Sequence, residues 1–436
     1  MKALLVASLL LAVSCAHAPS LVPFEQTVEA QRVALKIPSL SVAVVRDGKI
    51  VLAKGFGSGT ADTLYPIGSI TKTFTSTLML QLAEEGRLEL EADVAKLVDW
   101  EVNPRIHIRH VLSHTSGGEP GTRFAYSSRF NWLDNVVEAV TKESFAALLR
   151  TKVIDKAGLT RTIGGETGGL AQPFRIDESG NAVPSKLPPL DLHSSSGLSS
   201  TVVDLAKYSI ALDEGRLLPP HRLNEAFTPS QPGFPYGLGW YTQTIAGQRV
   251  VWHPSWWPDA FSGLLVKVPE QRLTLVLLAN TDGLTAPQRG ASNILLYPIA
   301  RAFLEAHLGG PQPIEVSDDD RLRLYEDAAA GRRLLARFPD DLELRFNVAL
   351  AAGHVRPTFR LNGAGAAEAL QLLEQLLAES RPLPRWMQGW TNYLVAEHIA
   401  PHDPTRARQL AEKAKATTID TDNLQARIAS LLAGLP

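Results

Sequence analysis

The spacing of apolar residues divides the chain into segments of different period. Residues 20–38 carry apolar positions at helical spacing and stop at Pro38, which predicts an amphipathic helix. The run Ser39–Val45 is apolar and β-branched, Asp47-Gly48 is a turn signal, and Lys49–Gly55 returns as a second strand of a hairpin. From Thr71 to Arg87 the apolar groups Phe74, Leu78, Leu80 and Leu82 follow helical spacing, with Gly86 as the stop. A mostly helical and loop region is expected to about residue 240. Strands then return at 249–253, 261–266 and 273–280, followed by a helix over 290–308. A hairpin near one end and three strands near the other, with helices between, predict one antiparallel sheet whose ends meet in space.

Pro311-Gln312-Pro313 marks a boundary. The remaining 126 residues, 311–436, are rich in Ala, Leu, Arg and Glu with almost no strand signal. Helical patterns fall at about 318–337, 340–354, 366–380, 385–399, 404–417 and 421–434. The joint Leu334–Asp341 has the look of a tetratricopeptide-type repeat, without a strict 34-residue period. Two readings stay open: a TPR-like module able to recruit a protein partner, and a helical annex packed on the body that precedes it.

At the other end, Met1-Lys2 precedes an apolar stretch of roughly 12 residues, too short for a membrane span of about 20. Two processing readings compete. Ala12-Val13-Ser14-Cys15 resembles a bacterial lipobox that would lipidate Cys15, whereas Ala16-His17-Ala18 is an A-x-A cleavage site followed by an unfavourable Pro19. Either one implies the cell envelope or secretion, with membrane contact only through a lipid. The expected partition is a signal or lipobox at 1–15, a body at 20–310 and a helical region at 311–436.

Composition narrows the chemistry. Lys+Arg 43 against Asp+Glu 45 gives a net charge of -2, which argues against a protein that grips nucleic acid. Cys15 is the sole cysteine, so a disulfide scaffold, a cysteine zinc site and an iron–sulfur site are excluded. No G-x-S-x-G, H-E-x-x-H, P-loop or G-x-G-x-x-G motif is present, and no metal or cofactor is expected.

The positive signal is Ser69-Ile70-Thr71-Lys72. Residues three apart on a helix share a face, so the Lys72 amine can reach the Ser69 hydroxyl. A helix N-terminus disfavours an ammonium and favours developing negative charge. Both effects push Lys72 toward a neutral base and Ser69 toward a nucleophile.

The surrounding segment, Thr63–Ser76, resembles the active-site segment of the serine β-lactamase-related family, in which S-x-x-K is a signature. That family includes class C β-lactamases, penicillin-binding DD-peptidases, D-aminopeptidases and esterases. Further segments are similar in the same order: Val42–Lys49, Ile108–Gly118 with its H-T-S-G, Ser196–Ala206, and Tyr236-Gly237-Leu238-Gly239-Trp240. The likeness spans about residues 28–308. It implies an α+β fold, an antiparallel sheet flanked by helices plus an all-helical subdomain, with the all-α region following.

The resemblance also implies roles. Tyr126 stands at the Tyr of the family's Y-x-N motif and would act as general base and then acid, while Ser128 occupies the Asn position. His253-Pro254-Ser255 stands at the third motif, with Ser255 where Gly is usual and one extra residue before Phe261. His253 would support Tyr126. The oxyanion donors would be the backbone N–H groups of Ser69 and Trp256. Trp256 and Trp257 would line the site. The expected activity is a serine hydrolase working through an acyl-enzyme on a small ester or peptide-like substrate, with ester favoured because the Asn is missing. The alternative is a degraded member that serves as an envelope scaffold through its helical tail.

Overall fold

The computed structural model describes residues 21–100, 102–165, 168–177, 179–187, 190–285, 288, 290–356, 358–417 and 424–436. The expected signal or lipobox at 1–15, with Cys15, lies outside these residues.

A six-stranded antiparallel sheet forms the centre. Its spatial order is Lys49–Gly57, Ser39–Arg46, Leu273–Ala279, Phe261–Val268, Gln248–Trp257 and Tyr241–Ile245. The two ends of the body meet as expected: Leu40 pairs with Ala279 and Arg46 with Leu273. Strand alternation sends side chains to two cores. Ala43, Val45, Val276 and Leu278 face the core that holds the Thr71–Glu84 helix. Val42, Val44, Leu275 and Leu277 face the core that holds the Val22–Ala34 and Pro298–Leu308 helices. Both faces are covered, which explains why these strands read as near-continuous apolar runs.

The Thr71–Glu84 helix is buried on almost every side although it carries many hydroxyls. Two of those hydroxyls are satisfied by carbonyls of distant segments. Thr75 Oγ1 donates to the Ser194 carbonyl (2.7 Å) and Ser76 Oγ to that of Leu238 (2.6 Å). Phe74 stacks on Tyr208 with ring centroids 4.0 Å apart. The helix is thus fixed against residues 194–198 and 236–240, two of the segments in which the family resemblance resides.

Three boundaries differ from the sequence reading. The strand expected to stop at His253 runs on to Trp257, because Pro254 needs no N–H where it pairs with Leu264. The residue surplus before Phe261 sits in the turn, where Asp259 adopts φ 56°, so the Trp257–Phe261 register stays regular. The helix expected from 290 begins at Pro298, a favoured first helical residue.

Seven helices occupy 318–434 among the described residues, with their own apolar clusters. The first predicted helix is split into Asp318–Tyr325 and Ala328–Arg337. Glu326 is left-handed (φ 50°), and the Asp327 carboxylate accepts from the N–H groups of Ala329 and Ala330 to cap the second. This helical region lies against the body. Arg123 bonds Asp341 (2.7 Å) and Asp319 (2.6 Å), and Ser292 donates twice to Asp320 (2.9 and 2.7 Å).

Candidate active site

Ser69 sits in a single 3₁₀ turn, Gly68–Ile70, that leads into the Thr71–Glu84 helix. Gly68 has φ 41°, and a Cβ there would lie 2.6 Å from the Ser255 hydroxyl. Glycine is therefore required for the turn to approach the Gln248–Trp257 strand. Ser69 stays partly exposed while its neighbours Gly68 and Ile70 are buried.

Lys72 is 4% exposed. Its Nζ donates to Ser69 Oγ (3.1 Å) and to the Ser195 carbonyl (3.1 Å). It stands over the rings of Tyr126 (5.0 Å) and Phe130 (5.5 Å), and no carboxylate among the described residues pairs with it. Burial without a counter-charge pushes its pKa down to about 7. Near neutral pH a large share of Lys72 is therefore the free amine, within proton-transfer reach of a partly exposed hydroxyl.

Tyr126 joins the pair, as the sequence predicts. Burial pushes its phenol well above the usual range, opposed by the nearby Ser69 hydroxyl. It stays a neutral phenol, suited to pass a proton rather than to act as a standing phenolate.

His253 is placed differently from the sequence reading. It is fully buried. Its Nδ1 donates to the Pro254 carbonyl (2.8 Å), so its Nε2 accepts from the Tyr236 hydroxyl (3.0 Å). Its ring centroid is 6.1 Å from that of Tyr126, and it makes no hydrogen bond to it. Burial, reinforced by Lys72, lowers its pKa to about 3. His253 is a neutral member of the aromatic floor, and its support of Tyr126 is packing.

The second-motif position also departs from expectation. Ser128 is exposed and makes no hydrogen bond to Lys72. The lysine's second acceptor is instead the Ser195 carbonyl, and Ser195 Oγ bonds Asn131 Oδ1. The sequence reading missed both residues, although Ser195 directly precedes the Ser196–Ala206 segment and Asn131 follows the second motif by three positions.

In the third motif, Ser255 is buried against Gly68 with its hydroxyl unpartnered. Trp256 has its backbone N beside Gly68, 3.9 Å from where a Cβ would stand there. Its indole points to the opposite face of the strand from Ser255, is 42% exposed, and donates from Nε1 to Asp282 (3.3 Å). The expectation that the Trp256 side chain lines the site is therefore corrected by the pleat, while its backbone N lies near the Gly68 turn. Trp257 packs against the rim of the first core.

Below the site lies an aromatic cluster. Tyr241 stacks parallel to Tyr126 (6.1 Å, 8°) and to Trp252 (5.3 Å, 16°). His114 accepts from the Ser127 N–H (3.0 Å), keeps a buried Nε2 without partner, and lies 4.2 Å from Tyr126. Burial and the charge of Lys72 hold His114 well below its ordinary pKa. No group of His, Cys, Asp and Glu able to hold a metal occurs among the described residues.

Comparison with known proteins places this geometry. The sequence matches the Beta-lactamase family over residues 24–297. It is 26% identical over 313 residues to Protein flp of Staphylococcus aureus (strain N315), covering 58% of this chain and 61% of that one. It is 25% identical over 341 residues to a D-aminopeptidase of Gluconobacter oxydans (strain 621H), covering 66% and 62%. The chain thus spans about three fifths of the length of these curated relatives. The octameric penicillin-binding protein homologue from Pyrococcus abyssi shares the fold with a TM-score of 0.60 and 23% identity, over 71% of this chain and 81% of that one.

Proposed function

The chain belongs to the Beta-lactamase family, whose members are serine hydrolases, and we propose that it is an active member that cleaves small carbonyl esters through an acyl-enzyme on Ser69. In this reading neutral Lys72 takes the Ser69 proton as the hydroxyl attacks the carbonyl. The N–H groups of Ser69 and Trp256 stabilise the oxyanion. The proton returns to the leaving group through the Tyr126 phenol, and water then releases the acyl group by the reverse sequence. No cofactor enters.

The observation that carries the proposal is the buried, unpaired Lys72 amine 3.1 Å from Ser69 Oγ, with a pKa near 7. A structural lysine at that depth would need a carboxylate. Support for esters comes from the exposed Ser128, which takes away the side-chain amide that would otherwise grip a substrate amide. The relatives named as a D-aminopeptidase and a D-stereospecific amidohydrolase make amides the competing class.

A fluorophosphonate probe is expected to label the wild type and not Ser69→Ala. Turnover of p-nitrophenyl esters, nitrocefin and D-Ala-D-Ala peptides then ranks the classes, and turnover of the peptides alone would refute the ester assignment. We further propose anchorage at the cell envelope through Cys15, read by intact-mass analysis of the mature protein.

A further inference from the structure

Beside Tyr126 lies a cavity of about 150 Å³ whose walls come from distant parts of the chain. Arg123, Ala125 and Tyr126 form one wall, and the C-terminal helices supply the other through Arg323, Glu343 and Asn347. The two walls are locked together. Arg123 is 9% exposed and grips both Asp341, itself 5% exposed, and Asp319. Arg323 donates to the Gly290 carbonyl (2.8 Å), which also accepts from the Tyr241 hydroxyl (2.9 Å). Tyr241 is the residue stacked on Tyr126, so the helical region reaches the reacting centre through one ring.

The charged residues that line this space, Arg123, Arg323 and Arg356 against Asp319, Glu326 and Glu343, balance in number but not in pairing. The Arg123 guanidinium faces two carboxylates. Arg323 is taken up by a carbonyl, with Asp320 one turn away. Glu343, in the first turn of the Leu342–Ala352 helix, lines the cavity and has neither a hydrogen bond nor an ion pair. Burial, joined by the Asp341 carboxylate, raises its pKa against the pull of Arg129, Arg123 and Arg323. Arg356 also lines the cavity without an ion pair, but at its exposed outer edge. A half-buried carboxyl with no partner gains from an occupant that brings a positive charge. A space of this size holds a group of about six heavy atoms.

We propose that this cavity is a substrate subsite completed by the C-terminal helices, and that Glu343 is its specificity-determining residue for substrates carrying an ammonium group on the acyl side. The inference rests on the hydrolase reading and adds a substrate class to it. It also gives the helical region a role at the site in place of separate scaffolding.

The test uses the full chain and p-nitrophenyl esters of ω-amino acids with two to six methylenes. Each is compared with the uncharged alkanoyl ester of equal length. The wild type is expected to favour the ammonium ester by about tenfold in kcat/KM at the chain length that spans from Ser69 to the cavity. Glu343→Gln is expected to erase that preference, and probe labelling of Ser69 in the same variant shows that it is folded. Equal rates for charged and uncharged esters at every length in the wild type would overturn the inference and leave the hydrolase reading standing. A preference for hemisuccinate or hemiglutarate esters would overturn it equally, because Arg356 would then be the selector. Failure of every ester, with no probe labelling of Ser69, would overturn both.

Discussion

Two buried lysines in the same body show how a paired and an unpaired cation differ. Lys267 lies in the Phe261–Val268 strand, 1% exposed. Its Nζ pairs with Asp213 (2.9 Å) and bonds Ser209 and Thr274. Lys72 is nearly as buried, yet its acceptors are one hydroxyl and one carbonyl, both neutral. Burial lowers both pKa values, but at Lys267 the Asp213 carboxylate opposes the shift, whereas nothing opposes it at Lys72. The fold has spent a carboxylate on one lysine and withheld it from the other. Withholding it destabilises the folded chain and, in the proposed mechanism, leaves the amine free to act as a base.

The comparison can be broken most sharply by removing each amine. Lys72→Met is expected to slow probe acylation and ester turnover by about 10²–10⁴, the usual contribution of a positioned base. Lys267→Met should leave kcat intact and cost roughly 3–5 kcal/mol of stability in urea titration, because Asp213 would remain buried and unpaired. Equal loss of activity in both variants would erase the distinction.

Lys72→Met should also stabilise the chain. The folded pKa of Lys72, about 7, lies below its unfolded value of 10.5. Between those values the unfolded state binds more protons, so this group's contribution rises with pH through that window and its cost is greatest below pH 7. The gain from the substitution is therefore expected to be several kcal/mol near pH 6, at about 1.4 kcal/mol per pKa unit, and to shrink toward pH 10, as read by denaturant midpoints. A smaller effect belongs to the second motif. Ser128→Asn should raise turnover of nitrocefin or D-Ala-D-Ala peptides relative to esters by roughly two- to tenfold, the value of one hydrogen bond.

The closeness of Ser69 and Lys72 was legible in the sequence because it is local: a spacing of three residues at a helix start suffices to bring them together. The sheet was legible because apolar runs bounded by turn signals dictate strands whatever their partners. The lowered pKa of Lys72 is different, since it depends on Tyr126, Phe130 and Ser195, which the chain brings in from up to 123 positions away. The partner of His253 was likewise hidden, because the Tyr236–Trp240 segment does not say that its tyrosine hydroxyl turns to His253. The outward turn of the Trp256 indole followed from strand continuation through Pro254, where proline suggests a stop. The cavity at Glu343 required the contact of Arg123 with Asp341, 218 residues apart, and no periodicity reports such a pairing.

The central claim is that Ser69 reacts because Lys72 is a neutral amine near pH 7. It is tested most directly by the rate at which a fluorophosphonate probe modifies Ser69, followed by peptide mass spectrometry at pH 5.5 and pH 8.5. A base titrating at about 7 predicts modification of Ser69 about thirtyfold faster at the higher pH, and a flat, slow profile in Lys72→Met. Equal rates at the two pH values in the wild type, or a label carried by another residue and retained in Ser69→Ala, would contradict it.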